Sequence, residues 1–184
     1  MAREHEEAEP IKRKGEMPSA DEEVTGEQLV TSELREESGA GGPLCRDVMK
    51  EAVVSVDESD SVYHAARAMR DTGVGFLPVC DSAGKVVGTI TDRDITIRVS
   101  AERREVDACR VGEVMTEEVV ACGPEDTLEH AEGLMSRYHK SRILVTDDED
   151  RLVGVISLSD IATHDDSQRA GETLLGVAQR EAQP

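Results

Sequence analysis

The chain has no tryptophan, one phenylalanine and two tyrosines among its 184 residues. Without aromatic anchors, a core must be filled by Val, Ile, Leu, Met and Ala packed to normal interior density. No apolar run is long enough to cross a bilayer, and the first 20 residues lack the apolar block of a secretion signal. The expectation is a cytoplasmic protein with no membrane partner. Positive charge is also scarce: 21 Lys and Arg face 40 Asp and Glu, for a net charge of −19. Phosphate backbones need clustered Lys and Arg, so nucleic acid is disfavoured as a partner. The four cysteines, Cys45, Cys80, Cys109 and Cys122, form neither a CxxC pair nor a zinc-finger spacing. Reduced structural thiols are expected, with a disulfide or a metal site assembled from distant segments left open. Phosphate-loop and dinucleotide-binding glycine motifs are missing as well.

What the chain does contain is a repeat. Gly88-Thr89-Ile90-Thr91-Asp92-Arg93-Asp94-Ile95 returns 66 residues later as Gly154-Val155-Ile156-Ser157-Leu158-Ser159-Asp160-Ile161. Between residues 46–96 and 112–162, 16 of 51 positions are identical without an insertion, which is enough to imply a pseudo-symmetric pair of units. Each copy reads as strand, helix, strand, turn, strand, helix. The first helix is expected over residues 61–71, with Val62, Ala65, Ala66 and Met69 on one face. Its counterpart covers 127–137, with Leu128, Ala131, Leu134, Met135 and Tyr138 inward. Polar turns at 81–84 and 147–150 then join two short apolar strands into a hairpin in each copy.

The expected organisation follows. Residues 1–43 carry 12 acidic and five basic side chains with few apolar ones, and cannot offset their ordering entropy. They form an acidic, largely disordered N-terminal segment in which 24–37 can adopt a short helix when docked. The first half-domain and linker span 44–106, the second half-domain 107–170 and a C-terminal tail 171–184.

The chemistry concentrates at the second helix of each copy. Thr91-x-x-Asp94 and Ser157-x-x-Asp160 place a hydroxyl and a carboxylate at a helix start. One reading is structural: the carboxylates satisfy free amides at the positive end of the helix. The other is a polar pocket in which hydroxyl and amides hold phosphate while the carboxylate accepts from a sugar diol. Gly88 and Gly154, in the strand just before, leave room for another group to approach. Asp is a short partner for a capping box, which weighs against a purely structural role.

Asp47-Val48-Met49 with Glu113-Val114-Met115, the Leu77-Pro78-Val79 strand and the two Gly-to-Ile octapeptides together resemble a tandem pair of CBS domains. This is the cystathionine-beta-synthase type of module, paired as a Bateman module, and the likeness covers about residues 44–166. It implies an α+β fold of two βαββα half-domains packed as a pseudo-twofold pair. It further implies two clefts for adenine nucleotides or related adenosyl ligands, and antiparallel homodimers formed through helices. By the same resemblance Asp94 and Asp160 take ribose hydroxyls, and Thr91 and Ser157 lie beside ribose or phosphate. Val53-Val54 and Val119-Val120 frame the base.

The copies differ where charge matters. His139-Lys140-Ser141-Arg142 stands against Gly73-Val74-Gly75-Phe76. Lys140 and Arg142 can offset phosphate charge from one side of the strand, or simply form a solvated strand entry. Arg93 either reaches phosphate or pairs with Asp92 and Asp94. His64 and His130 recur as exposed helical histidines. No nucleophile, base and acid are grouped, so the reading is non-catalytic: a regulatory or sensor protein that binds AMP, ADP, ATP or a similar ligand, with no required cofactor and an unidentified client protein. The alternative is a constitutive dimeric scaffold with empty or relict clefts.

Overall fold

The computed structural model describes residues 29–30, 42–164 and 167–179. β1 (Leu29–Val30) precedes the first repeat, whose leading arm carries α1 (Cys45–Val48). The first repeat contains β2 (Val56–Asp57), α2 (Val62–Thr72), β3 (Phe76–Cys80), β4 (Val86–Thr91) and α3 (Asp92–Ile95), which runs on as a π-helical turn over Thr96–Ser100. After a 3-10 turn at Val111–Glu113, the second contains β5 (Val119–Cys122), α4 (Leu128–Arg137), β6 (Arg142–Thr146), β7 (Leu152–Ser157) and α5 (Leu158–His164). A last helix, α6 (Ser167–Ala178), follows and crosses the boundary expected at residue 170. Apart from Leu29–Val30, Gly42 and Pro43, the expected N-terminal segment lies outside the described residues. Leu29–Val30 forms a strand rather than part of a helix over 24–37.

Local chemistry explains the matching elements. Ser61 Oγ accepts from the His64 amide and Thr127 Oγ1 from the His130 amide, each at 3.2 Å, so α2 and α4 start on equivalent side-chain caps. Val62, Ala65 and Met69 are buried on α2, and Leu128, Ala131, Leu134 and Met135 on α4. The apolar faces therefore lie where the periodicity predicts them, with Ala66 and Tyr138 half-buried at their margins. Gly73 ends α2 at φ 69°, and His139 occupies the same left-handed place after α4 at φ 52°.

The strands form two sheets, ordered β2-β3-β4 and β1-β5-β6-β7. Each contains the expected hairpin: Phe76 pairs with Thr91 and Val79 with Gly88, as Arg142 pairs with Ser157 and Val145 with Gly154. Val86, Val119, Ala121 and Leu144 join in a core cluster between the sheets.

The two halves exchange their leading arms. Cys45 and Val48 are buried in the core of the second half with Leu128, Met135 and Ile156. Val111 and Val114 are buried in the core of the first half with Val62, Leu77 and Ile90. The backbone contacts are reciprocal: Cys45 N–H donates to the Asp126 carbonyl at 2.8 Å, and Val111 N–H to that of Asp60 at 2.9 Å. An isolated Lys85–Arg151 bridge joins residues that are each other's counterparts, so the pseudo-twofold axis passes between them.

Candidate functional site

The exchanged arms explain the two strand glycines. A Cβ on Gly154 would lie 2.6 Å from Met49 Sδ and 3.1 Å from Met49 Cβ. One on Gly88 would lie 2.7 Å from Met115 Sδ and 2.9 Å from the Thr116 carbonyl oxygen. The close-approaching group is thus the arm of the other copy. Beyond Met49, the Lys50 amide donates to the Val155 carbonyl at 3.0 Å and the Val155 amide returns a bond to Lys50 at 3.1 Å. Thr116 and Thr89 repeat that pairing at 2.9 and 2.8 Å. Each arm is fixed on the opposite β-strand immediately before a Ser/Thr-x-x-Asp cap.

Both caps form. The Thr91 amide and hydroxyl donate to Asp94 Oδ2 at 2.9 and 2.6 Å, and Thr91 Oγ1 accepts from the Asp94 amide at 3.1 Å. The Ser157 amide donates to Asp160 Oδ2 at 2.9 Å, and its hydroxyl donates to the same oxygen. Aspartate therefore does reach back across the cap, contrary to the expectation from its length. The structural and ligand readings are compatible, however, because capping uses Oδ2 and leaves Oδ1 directed elsewhere.

Different cations meet the second oxygens. Lys50 Nζ lies 2.7 Å from Asp160 Oδ1, across the repeat boundary. Arg98 Nη2 lies 3.5 Å from Asp94 Oδ1, one turn along the same helical segment. Arg98 is further tied down, donating to the carbonyls of Val114 at 2.7 Å and Met115 at 2.6 Å. The Lys50 side chain is 68% exposed and Asp160 only 11%. An ion pair with so exposed a partner is worth roughly 0–1 kcal/mol, so a ligand can replace it at little cost. Burial raises the Asp160 pKa, but the Lys50 ammonium and the Ser157 hydroxyl and amide outweigh it and hold the carboxyl below its ordinary range.

Asp160 and Ser157 open into a cavity of about 350 Å³ lined also by Lys50, Val53, Val54 and Arg142. Phe76 and Val155 contribute apolar wall, and the Arg142 guanidinium sits 5.7 Å from the Phe76 ring centroid. Volume and apolar lining with a few polar groups match a small-molecule site. Five residues singled out in the sequence thus converge, and the cleft is composite: arm from the first copy, cap from the second.

The remaining candidates are distributed otherwise. Thr91 and Asp94 make the other cap. Val119 and Val120 are 2% and 5% exposed, whereas Val54 is 44% exposed. Leu29–Val30 pairs in parallel with Val119–Val120, whereas among the described residues no strand pairs with Val53–Val54. Arg93 is exposed, and Arg98 rather than Arg93 pairs with Asp94. Lys140 bonds Glu118 at 2.7 Å and does not share the cavity lined by Arg142. His139 Nδ1 contacts the Gly176 carbonyl oxygen at 2.9 Å, and His64 Nδ1 lies 3.2 Å from Asp60. Lys50 and Arg98 were missed by sequence reasoning, although Lys50 against Thr116 and Arg98 against His164 are charge differences visible in the aligned repeats.

All four cysteines are free. Cys45 and Cys122 are buried with their sulfurs 3.5 Å apart. The hydrogen bond with Cys45, and then burial, push the Cys122 thiol far up from its usual value. Among the described residues no group of three His, Cys, Asp or Glu side chains could hold a metal ion, and no helix is long and apolar enough to cross a membrane.

Two βαββα repeats that exchange arms and carry matching helix-start caps define a pseudo-twofold α+β pair. The chain belongs to the CBS domain family, whose sequence profile matches residues 45–101 and 111–166. As a CBS pair it is a regulatory module, not an enzyme. The chain is 35% identical to the CBS domain-containing protein YhcV of Bacillus subtilis over 134 residues, 72% of this chain and 94% of YhcV. It is 30% identical to Hypoxic response protein 1 of Mycobacterium tuberculosis over 119 residues, 65% of this chain and 82% of that protein. Among solved structures, Hypoxic Response Protein I with two coordinated zinc ions matches with TM-score 0.62 and 28% identity, covering 67% of this chain and all of that one. A CBS domain pair in complex with 5′-methylthioadenosine and S-adenosyl-L-methionine matches with TM-score 0.60 and 27% identity, covering 67% of this chain and 95% of that one.

Proposed function

We propose that the protein is a regulatory sensor that binds an adenine nucleotide, AMP, ADP or ATP, in the Asp160 cleft. The carrying observation is the convergence of Val53, Val54, Arg142, Ser157 and Asp160 on one cavity. In this reading Asp160 accepts the ribose diol, while Ser157 and Arg142 face phosphate and Val53–Val54 frame the base. A related CBS pair holding adenosyl compounds supports the ligand class. The ligand would contact the arm of one copy and the cap of the other, so filling the cleft favours one arrangement of the halves over another. A switch requires that difference in affinity between states. An unidentified client protein would read the arrangement.

Thr91, Asp94, Val119, Val120, Arg93 and Lys140 form the second candidate set, in which Asp94 already meets Arg98, Lys140 meets Glu118 and Val119–Val120 pair with β1. Calorimetric titration with AMP, ADP, ATP and S-adenosylmethionine at near-native salt tests the reading; binding by none of them contradicts it.

A constitutive homodimeric scaffold is the second reading. It draws on carboxylates already bonded to their own helix starts and on the exposed Ile97 and Leu175. Sedimentation of the full chain and of a chain starting at Gly42 tests it: a monomeric core contradicts dimerisation through the repeats.

A further inference from the structure

We propose that Lys50 selects the charge of the ligand in the Asp160 cleft, favouring phosphorylated adenosyl compounds over uncharged or cationic ones. This deepens the adenosyl reading above and rests on it. Without ligand the Lys50 ammonium sits 2.7 Å from Asp160 Oδ1, the carboxylate oxygen left over by the cap. A ribose diol hydrogen-bonding that oxygen competes with the ammonium for it. Backbone bonds to Val155 hold Lys50 in place through its amide and carbonyl, so only the flexible side chain moves.

The displaced ammonium then lies in a cavity that also contains Arg142. Once the diol hydrogen-bonds Asp160, the lining presents two cations against one carboxylate, on a chain of net charge −19. A phosphoryl group supplies the acceptor that Lys50 has just lost, and two cations share its charge. An uncharged adenosyl ligand gives Lys50 no new partner. A sulfonium ligand adds a third positive charge and is repelled. Lys50 thus makes ribose capture dependent on an anion being captured with it. The other cleft cannot repeat this exchange: Thr116 stands at the equivalent position, and the cation at Asp94 is an arginine held by two carbonyl groups.

Calorimetry on the full chain tests this with AMP, 5′-methylthioadenosine and S-adenosylmethionine, for the parent, Lys50→Met and Lys50→Arg. In the parent, AMP is expected to bind about tenfold or more tighter than 5′-methylthioadenosine, and S-adenosylmethionine most weakly. Lys50→Met should weaken AMP by about tenfold and leave 5′-methylthioadenosine unchanged or tighter, because no ammonium need be displaced. Lys50→Arg should keep the preference. Circular dichroism of each variant checks that it folds. If the parent shows no preference for AMP, or Lys50→Met weakens both ligands by one factor, the selector role is overturned and the adenosyl reading stands. If no adenosyl compound binds the folded parent, that reading falls and the selector with it.

Discussion

Met49 packs against the bare Cα of Gly154, and Met115 repeats the contact at Gly88. Each glycine marks where one repeat's arm crosses the other repeat's strand. That crossing delivers Lys50 to Asp160 and so builds a cleft from both copies.

Gly154→Ala should therefore act on stability and site together. The added methyl meets Met49 from Sδ to Cβ, so a rotamer change alone cannot clear it. A loss of about 1–3 kcal/mol is expected in urea unfolding, as for other overpacked core sites. Combining it with Met49→Ala should recover part of that loss, giving a coupling of at least about 0.5 kcal/mol.

Asp160 should titrate at lower pH than an ordinary aspartate. Its folded pKa is below the usual 3.8, so its contribution to stability is complete above that value and is lost as pH falls through the folded pKa. Carboxyl carbon NMR shifts can follow this directly. In Lys50→Met the pKa should move upward, because the ammonium that lowers it is gone while burial remains. An unchanged titration would show that the 2.7 Å pair does not persist in solution.

The two aspartates should differ as ligand residues but resemble each other as caps. Asp160→Ala and Asp94→Ala should each cost about 0.5–2 kcal/mol of stability. Only Asp160→Ala should sharply weaken AMP, since Asp94 is engaged by an anchored arginine and β1 covers Val119–Val120, the counterparts of Val53–Val54. Parallel chemical denaturation and calorimetry separate the two effects.

Thiol labelling should be slow in the native protein. Cys45, Cys109 and Cys122 are buried, and burial also raises the half-buried Cys80. Only the thiolate reacts appreciably. Ellman's reagent should give at most one slow-reacting thiol per chain before denaturant and all four afterwards.

Much of this was legible because it is local. The stripes on α2 and α4, the hairpins, and the Thr91 and Ser157 caps follow from spacing within a dozen residues or so. The 66-residue repeat exposed the pseudo-symmetry as well. The exchange of arms was not legible, because aligned copies look the same whether each arm packs at home or across the axis. For that reason Val53 and Val54 could not be assigned to Asp160 in advance. The segment 139–142 shows the same limit. Three basic side chains within four residues suggest one phosphate site, yet His139 serves the turn after α4, Lys140 answers Glu118 and, of the three, Arg142 alone lines the cavity. Strand β1 and the passage of α6 across residue 170 depend on tertiary pairing that composition does not encode.

The proposed adenine-nucleotide site is the cleft at Asp160. Its most direct test is calorimetric titration of AMP into the parent protein and into Asp160→Ala, with folding of both verified. Saturable binding at one site per chain is expected in the parent, weakened about 10- to 150-fold in the variant by loss of hydrogen bonds to a charged group. Equal affinity in the two proteins, or no binding to the folded parent, would contradict it.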